Sequence, residues 1–183
     1  LPGQTWATAE RPFRRSVEGQ VMVTMREFNR LENVFASHSR SGLQLHPWWS
    51  VYGPVGEDGY PRPAWDPETG VIDREVAHYM RDNGYDLSHY IQTNWPTIGH
   101  DLVGKLHLAV GDMDNYYLNV AVYLLEEFLE NTEDPYYAGS FTYGRPKQGH
   151  FWQPWTHAEL LKIMADHITR NAPAGEDTSS WKY

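Results

Sequence analysis

The chain has 183 residues, of which 40% are apolar and 21% are charged, and this composition suits a folded domain with an ordinary core. Its 24 acidic residues outnumber its 15 basic ones and give a formal charge of −9, which argues against electrostatic binding to nucleic acid. No apolar run approaches the roughly 18 residues of a membrane helix, so we expect no membrane partner, and the absence of cysteine excludes disulfides, thiolate zinc sites and a cysteine nucleophile.

The first half of the chain is predicted to be helical and rich in loops. Residues 1–15 are expected to be irregular, and apolar residues at three- and four-residue steps predict a helix from Glu18 to about Ala36. Residues 53–70 contain four glycines and four prolines, a composition typical of a site loop or lid. Further helices are predicted within residues 43–52, from Asp73 to Asn83, and from Asp86 to Asn94, where Pro96 is expected to end the last one.

The second half alternates between predicted strands and helices. The predicted elements are a buried strand at 105–110, a helix at 115–130, a strand at 140–143, and a helix at 156–170 that begins with a Thr156/Glu159 capping box. Such a βαβα unit closes as a right-handed crossover between parallel strands. Because a parallel sheet needs several strands, we expect this sheet to be incomplete within the chain.

These patterns divide the chain into three predicted parts. We interpret residues 1–183 as a single partial domain of the α/β class. Residues 1–103 form a helical, lid-like region that includes loop 53–70, residues 104–171 form the strand-helix-strand-helix unit, and 172–183 form a loose polar tail.

Candidate catalytic residues follow both predicted strands. Asp112 and Asp114 come directly after the first strand, and His150 lies in the turn after the second. Open α/β sheets place their sites at the carboxyl edge, where these turns would meet. Taken singly, an aspartate at this position also suits a helix cap, and a histidine in a loop also suits simple solvation. The order of acid and then histidine is the one in which α/β-hydrolases complete a Ser-His-Asp triad.

Several segments resemble the carboxyl-terminal half of bacterial esterases in the enterochelin-esterase-like and esterase-D-like branch of the α/β-hydrolase superfamily. They are Gly104 to Asn119, the Gly149-His150 turn, and residues 52–61 with Trp65-Asp66 and 69–73. The resemblance covers about residues 14 to 170. It implies a doubly wound parallel sheet and a serine esterase that needs no cofactor or metal. It also implies that Asp114 is the acid and His150 the base, with Asp112 as the alternative acid.

The nucleophile of that family is absent from this sequence. The Gly-x-Ser-x-Gly elbow does not occur, and its nearest imitation is Ser37-His-Ser39-Arg-Ser41, in which serine occupies both glycine positions. We therefore expect the serine and the oxyanion hole to lie upstream of Leu1 or on another chain. Residues 1–6 lack the features of a signal peptide, although the resemblance implies a secreted or periplasmic location.

The abundant tryptophans and histidines leave other interpretations open. Trp48, Trp49, Trp65, Trp152 and Trp155 are candidates for stacking on a substrate, with Trp65 and Trp152 as the predicted substrate-binding pair, or else they fill the core. Nine histidines without a His-Glu-x-x-His motif, and an Asp-rich turn without the Gly and Glu of an EF-hand, argue against zinc and against an EF-hand calcium site. The alternatives to an esterase are a glycan- or protein-binding module and an inactive hydrolase-like subunit.

Overall fold

The computed structural model describes residues 11–35 and 44–181, and these form a mixed fold of helices and small sheets. The elements in chain order are β1 (Pro12–Arg15), β2 (Val21–Thr24), α1 (Met25–Phe35), α2 (Leu45–Tyr52), α3 (Arg74–Asp82), α4 (Leu87–Leu102), β3 (His107–Gly111), α5 (Leu118–Glu130), β4 (Ser140–Gly144) and α6 (His157–Arg170), followed by a 3₁₀ turn at Ser179–Trp181. Within these ranges no helix has both the length and the apolar character needed to cross a membrane.

The predicted βαβα unit is present. Strands β3 and β4 pair in parallel from His107 opposite Ser140 to Gly111 opposite Gly144, and α5 makes the crossover between them. The Tyr143 hydroxyl on β4 donates to the Glu126 carboxylate on α5 at 2.5 Å and ties the helix to the strand. Among the described residues these two strands pair only with each other. The class is therefore α/β, and the wider doubly wound sheet stays a prediction.

The core lies between α4, α5 and the segment that leads into β4. Trp95, Leu129 and Tyr137 are all buried and pack together. The Trp95 indole N–H donates to the Pro135 carbonyl at 3.1 Å, and the Phe128 ring meets the Trp95 ring edge-on at 5.9 Å between centroids. Burial and a hydrogen bond to Glu130 raise the pKa of the Tyr137 hydroxyl.

The beginning of the chain differs from the prediction of irregular structure followed by a helix from Glu18. Instead, β1 and β2 form an antiparallel hairpin, and α1 begins only at Met25. The Thr24 backbone N–H donates to Glu27 at 2.8 Å and the Glu27 backbone N–H donates to the Thr24 hydroxyl at 3.3 Å, which is a capping box. The β-branched residues Val21 and Val23 lie before this cap and pair with β1. Helical periodicity does not reveal this pairing.

We expected Pro96 to end α4, but the helix continues past it. The helix runs to Leu102 with Pro96 inside it. Proline removes one backbone hydrogen bond and crowds the preceding turn, but Trp95 and Gly99 on either side of it are both buried. An added Cβ at Gly99 would lie only 2.9 Å from the Trp95 ring. Tertiary packing of this face therefore offsets the local cost of the proline.

The core predicts that two leucines contribute very differently to the free energy of unfolding. Because Leu129 is fully buried, Leu129→Ala should lower the free energy of unfolding by about 3 kcal/mol. Leu161→Ala on α6, where the side chain is 66% exposed, should change it by less than about 1 kcal/mol. Urea denaturation of both variants measures the difference, and equal losses would contradict this description of the core.

Candidate active site

The turns that follow β3 and β4 are joined by hydrogen bonds at the carboxyl edge of the strand pair. The Asp112 backbone N–H donates to the Gly144 carbonyl at 3.1 Å, and the Met113 N–H donates to the Gln148 carbonyl at 3.0 Å. An added Cβ at Gly111 would lie 2.3 Å from the same Gln148 oxygen. Glycine is therefore required at position 111 for the two turns to approach each other.

Asp114 and His150 meet in this edge region. The carboxylate of Asp114 is 1% exposed, and its Oδ2 lies 2.8 Å from Nδ1 of His150. Its other oxygen accepts the backbone N–H groups of Tyr116 at 2.8 Å and Leu118 at 3.2 Å. Since a carboxylate can only accept hydrogen bonds, Nδ1 carries the hydrogen and Nε2 of the neutral ring has a lone pair. The expected contact between these two residues is thus present.

The second nitrogen of His150 is available for chemistry. The side chain is 27% exposed, and no group among residues 11–35 and 44–181 makes a hydrogen bond to Nε2. Tyr116 packs edge-on against the imidazole on one side and Phe151 on another, each with ring centroids 4.8 Å from it. The imidazole is therefore held in place by its neighbours while Nε2 can accept a proton from an incoming group.

Asp112, the alternative acid, has a different contact. Its Oδ1 accepts the backbone N–H of Gln148 at 3.1 Å, so the side chain holds the loop that carries His150. Of the two aspartates that follow β3, Asp114 is the one placed at the imidazole.

Arg15 of β1 contacts the turn that contains Asp114. The Arg15 guanidinium donates from Nε to the Asp114 carbonyl at 3.0 Å and from Nη2 to Asn119 Oδ1 at 2.9 Å. It also lies 4.5 Å above the ring of Tyr117, whose backbone has a left-handed φ of 64°. That conformation costs a non-glycine residue on the order of 1 kcal/mol, and the guanidinium contacts help to hold it. No sequence pattern predicted this role of Arg15.

Asn115 joins three parts of the site. Its Nδ2 donates to the Arg15 carbonyl at 2.8 Å, and its Oδ1 accepts the backbone N–H of His150 at 3.1 Å. An added Cβ at Gly149 would lie 2.8 Å from that Oδ1, so the glycine before the histidine allows the contact. Sequence analysis included Asn115 only as the start of a helix and missed this bridging role.

A large apolar cavity opens beside His150. It has a volume of about 910 Å³, and we call it the His150 cavity. Its lining combines residues from β1, α2, the start of α5 and loop 53–70, and the aromatic members are Phe13, Trp48, Trp49, Trp65, Tyr116 and Tyr117. Trp65, one of the two tryptophans predicted to bind substrate, lines this cavity.

Trp152, the other tryptophan predicted to bind substrate, lies outside this cavity. Its ring lies against the end of β4, where an added Cβ at Gly144 would come within 2.4 Å of it, and it does not line the His150 cavity. The glycine at the end of the strand leaves room for the indole, which covers the strand end. Of the two tryptophans predicted to bind substrate, only Trp65 therefore lines the His150 cavity.

The serines of the imitation elbow, Ser37, Ser39 and Ser41, lie outside the described residues. In the described part of the chain, no three His, Asp or Glu side chains converge in a way that would hold a metal ion. Comparison of the chain with protein-family models, with curated proteins and with solved structures found no match.

The contact between Asp114 and His150 predicts the tautomer of the imidazole. Neutral His150 should carry its hydrogen on Nδ1, and Asp114→Asn should shift the ring toward the Nε2–H form, because an amide N–H can donate to Nδ1. Long-range ¹H–¹⁵N spectra of the imidazole report the tautomer directly. The matched control is Asp86→Asn at the exposed start of α4, and an Nε2–H ring in the unaltered chain would refute the assignment.

The bridging role of Asn115 predicts faster local opening of the histidine loop. In Asn115→Ala the His150 backbone N–H loses its acceptor, and its hydrogen exchange should accelerate by about tenfold or more. Asn83→Ala, which removes an exposed contact at the end of α3, is the control and should leave that exchange rate unchanged. An unchanged rate in Asn115→Ala would show that the bridge does not hold the loop.

Proposed function

We propose that this chain is the carboxyl-terminal part of an α/β-hydrolase that acts as a serine esterase on carboxylic esters, with Asp114 and His150 as the acid and base of its triad. The observation that carries the proposal is the 2.8 Å contact between the buried Asp114 carboxylate and His150 Nδ1. It occurs at the carboxyl edge of two parallel strands and beside an apolar cavity.

The geometry suits general acid-base catalysis. As a serine hydroxyl attacks the ester carbonyl, Nε2 of His150 takes the hydroxyl proton, and the imidazolium that forms is stabilised by the Asp114 carboxylate. The same proton is then given to the leaving alcohol, which departs and leaves an acyl-serine. In the second half of the cycle, Nε2 takes a proton from water, the resulting oxygen attacks the acyl group, and the proton returns to the serine.

In this proposal the serine comes from outside the described residues. The surface around β3, β4 and α6 supports the presence of a further part of the sheet that would cover it. Strands β3 and β4 pair only with each other in the described ranges. The α6 helix has no buried residue, and Leu161, Met164 and Ile168 on it are all more than half exposed. Phe151, directly after the histidine, is 93% exposed. Apolar groups of this kind around a short parallel pair are what further strands and helices of the same sheet would cover.

The His150 cavity supplies the substrate pocket in this proposal. Its aromatic and aliphatic lining favours an apolar acyl or alcohol group next to the imidazole. Trp65 in loop 53–70 donates its indole N–H to Asn29 Oδ1 at 2.8 Å, so the wall that the loop contributes is fixed to α1. This fixed wall supports the lid-like role predicted for the loop.

The test uses the longer protein obtained by extending the reading frame upstream, or the chain together with a second chain that carries a Gly-x-Ser-x-Gly elbow. We expect burst kinetics with an activated ester and labelling by a serine-directed phosphonate. His150→Ala should reduce turnover by about 10³-fold or more, because a triad acts as a unit. The control is His100→Ala, an exposed histidine in α4, which should retain the activity.

Two outcomes would overturn the proposal. The 183-residue chain alone should be neither labelled nor active, so a label on Ser39 or Ser41 would show that it carries its own nucleophile. Failure of the extended protein to turn over any ester in a panel of acyl lengths would instead favour an inactive hydrolase-like subunit.

A further inference from the structure

A second cavity lies next to the His150 cavity and has a different chemical character. It has a volume of about 710 Å³ and is lined by α2, loop 53–70 and the start of α3. Trp49 and Trp65 line both cavities, whereas His150 lines only the first. The polar and aromatic residues of this loop cavity are His46, Trp49, Ser50, Glu57, Asp58, Tyr60, Arg62, Trp65 and Glu75. We propose that the loop cavity binds a neutral sugar unit of an oligosaccharide.

The shape of the loop cavity is set by backbone hydrogen bonds. The Gly56 N–H donates to the Tyr60 carbonyl at 2.6 Å and the Arg62 N–H donates to the Pro54 carbonyl at 2.7 Å, so residues 54–62 close into a tight hairpin. The Trp49 indole N–H donates to the Arg62 carbonyl at 2.7 Å and ties this hairpin to α2. Because the loop is already ordered, a ligand that enters the cavity need not order it, which lowers the entropic cost of binding.

The aromatic groups present apolar ring surfaces to the cavity. Both indole N–H groups are already used, by the Arg62 carbonyl for Trp49 and by Asn29 for Trp65. The two indoles meet at 58° with centroids 5.3 Å apart, and Trp49 is almost buried behind Trp65 and the loop. The Tyr60 ring is half exposed at the rim. Trp65 and Tyr60 can therefore receive the C–H face of a sugar ring, which is flat and apolar.

The polar groups match the hydroxyls of a sugar. The Arg62 guanidinium donates to the Glu75 carboxylate at 2.8 Å, so a donor and an acceptor stand side by side in the lining. A hydroxyl can donate to a carboxylate and accept from a guanidinium at the same time. Glu57 adds a further acceptor group from the loop.

The charge of the cavity lining favours some hydroxyl-bearing ligands over others. Its carboxylates outnumber its guanidinium three to one, which disfavours a phosphate or an acidic sugar. The Arg62 guanidinium in turn disfavours a cation at the position next to Glu75. A neutral polyhydroxyl ring meets neither repulsion. Since sugar binding here involves no reaction, the inference does not depend on the esterase proposal.

The experiment is a titration of the ¹⁵N-labelled 183-residue chain with four neutral probes: xylohexaose, cellohexaose, maltohexaose and N-acetylchitohexaose. At least one probe should shift the backbone signals of Glu57 and Tyr60 and the indole signal of Trp65 in a saturable way, while the His150 backbone signal stays in place. A polygalacturonate oligomer of the same length tests the charge argument and should bind at least about tenfold more weakly.

Paired variants locate the binding. Tyr60→Ala and Glu57→Gln should each weaken the neutral probe by about tenfold or more, because one removes a stacking surface and the other a charged acceptor. The matched controls, Tyr85→Ala and Glu68→Gln, change exposed side chains outside the cavity lining and should leave the affinity unchanged. The proposal is overturned if no neutral probe shifts these signals at about 10 mM, if the polygalacturonate oligomer binds as well or better, or if variants and controls bind alike.

Discussion

The parallel pairing of β3 with β4 is the constraint on which the site depends. The register brings Gly111 opposite Gly144, so both strands end at the same level and their turns emerge side by side. The absence of a Cβ at Gly111 lets the turns approach closely enough for backbone N–H groups after β3 to donate to carbonyls at and after the end of β4. Only in this register does the carboxylate that follows the first strand reach the imidazole that follows the second. A shift by one residue would reverse every side chain along the strand and separate the pair.

A second constraint comes from the opposite end of the chain. Arg15 and Asn115 join β1 to the turn that contains Asp114 and, through the His150 backbone, to the loop that contains His150. The same hairpin contributes apolar residues to the His150 cavity, and α1 holds Trp65 through Asn29. The helical first half is therefore attached by specific polar contacts to the sheet edge that carries Asp114 and His150. These contacts explain how a loop rich in glycine and proline can supply a defined wall to a pocket.

The errors in prediction share one physical cause. A helix from Glu18 was predicted from apolar spacing, but pairing with β1 draws Val21–Thr24 into a strand and Thr24 caps the helix that follows. Pro96 was expected to end α4, but burial of the surrounding face outweighs its local cost. In both cases tertiary contacts outweighed a local preference.

The sequence by itself determined the order of elements in the second half, the helix caps at Asp73, Asp86 and Thr156, and the positions of Asp114 and His150 after successive strands. These features follow from periodicity and capping, which act between residues close together in the chain. The tertiary structure alone decided that Asp114 rather than Asp112 contacts His150, that Arg15 and Asn115 hold them, and that Trp65 but not Trp152 lines the cavity. Those outcomes depend on strand register and on close packing across about a hundred residues of chain, and no local pattern encodes the distances involved.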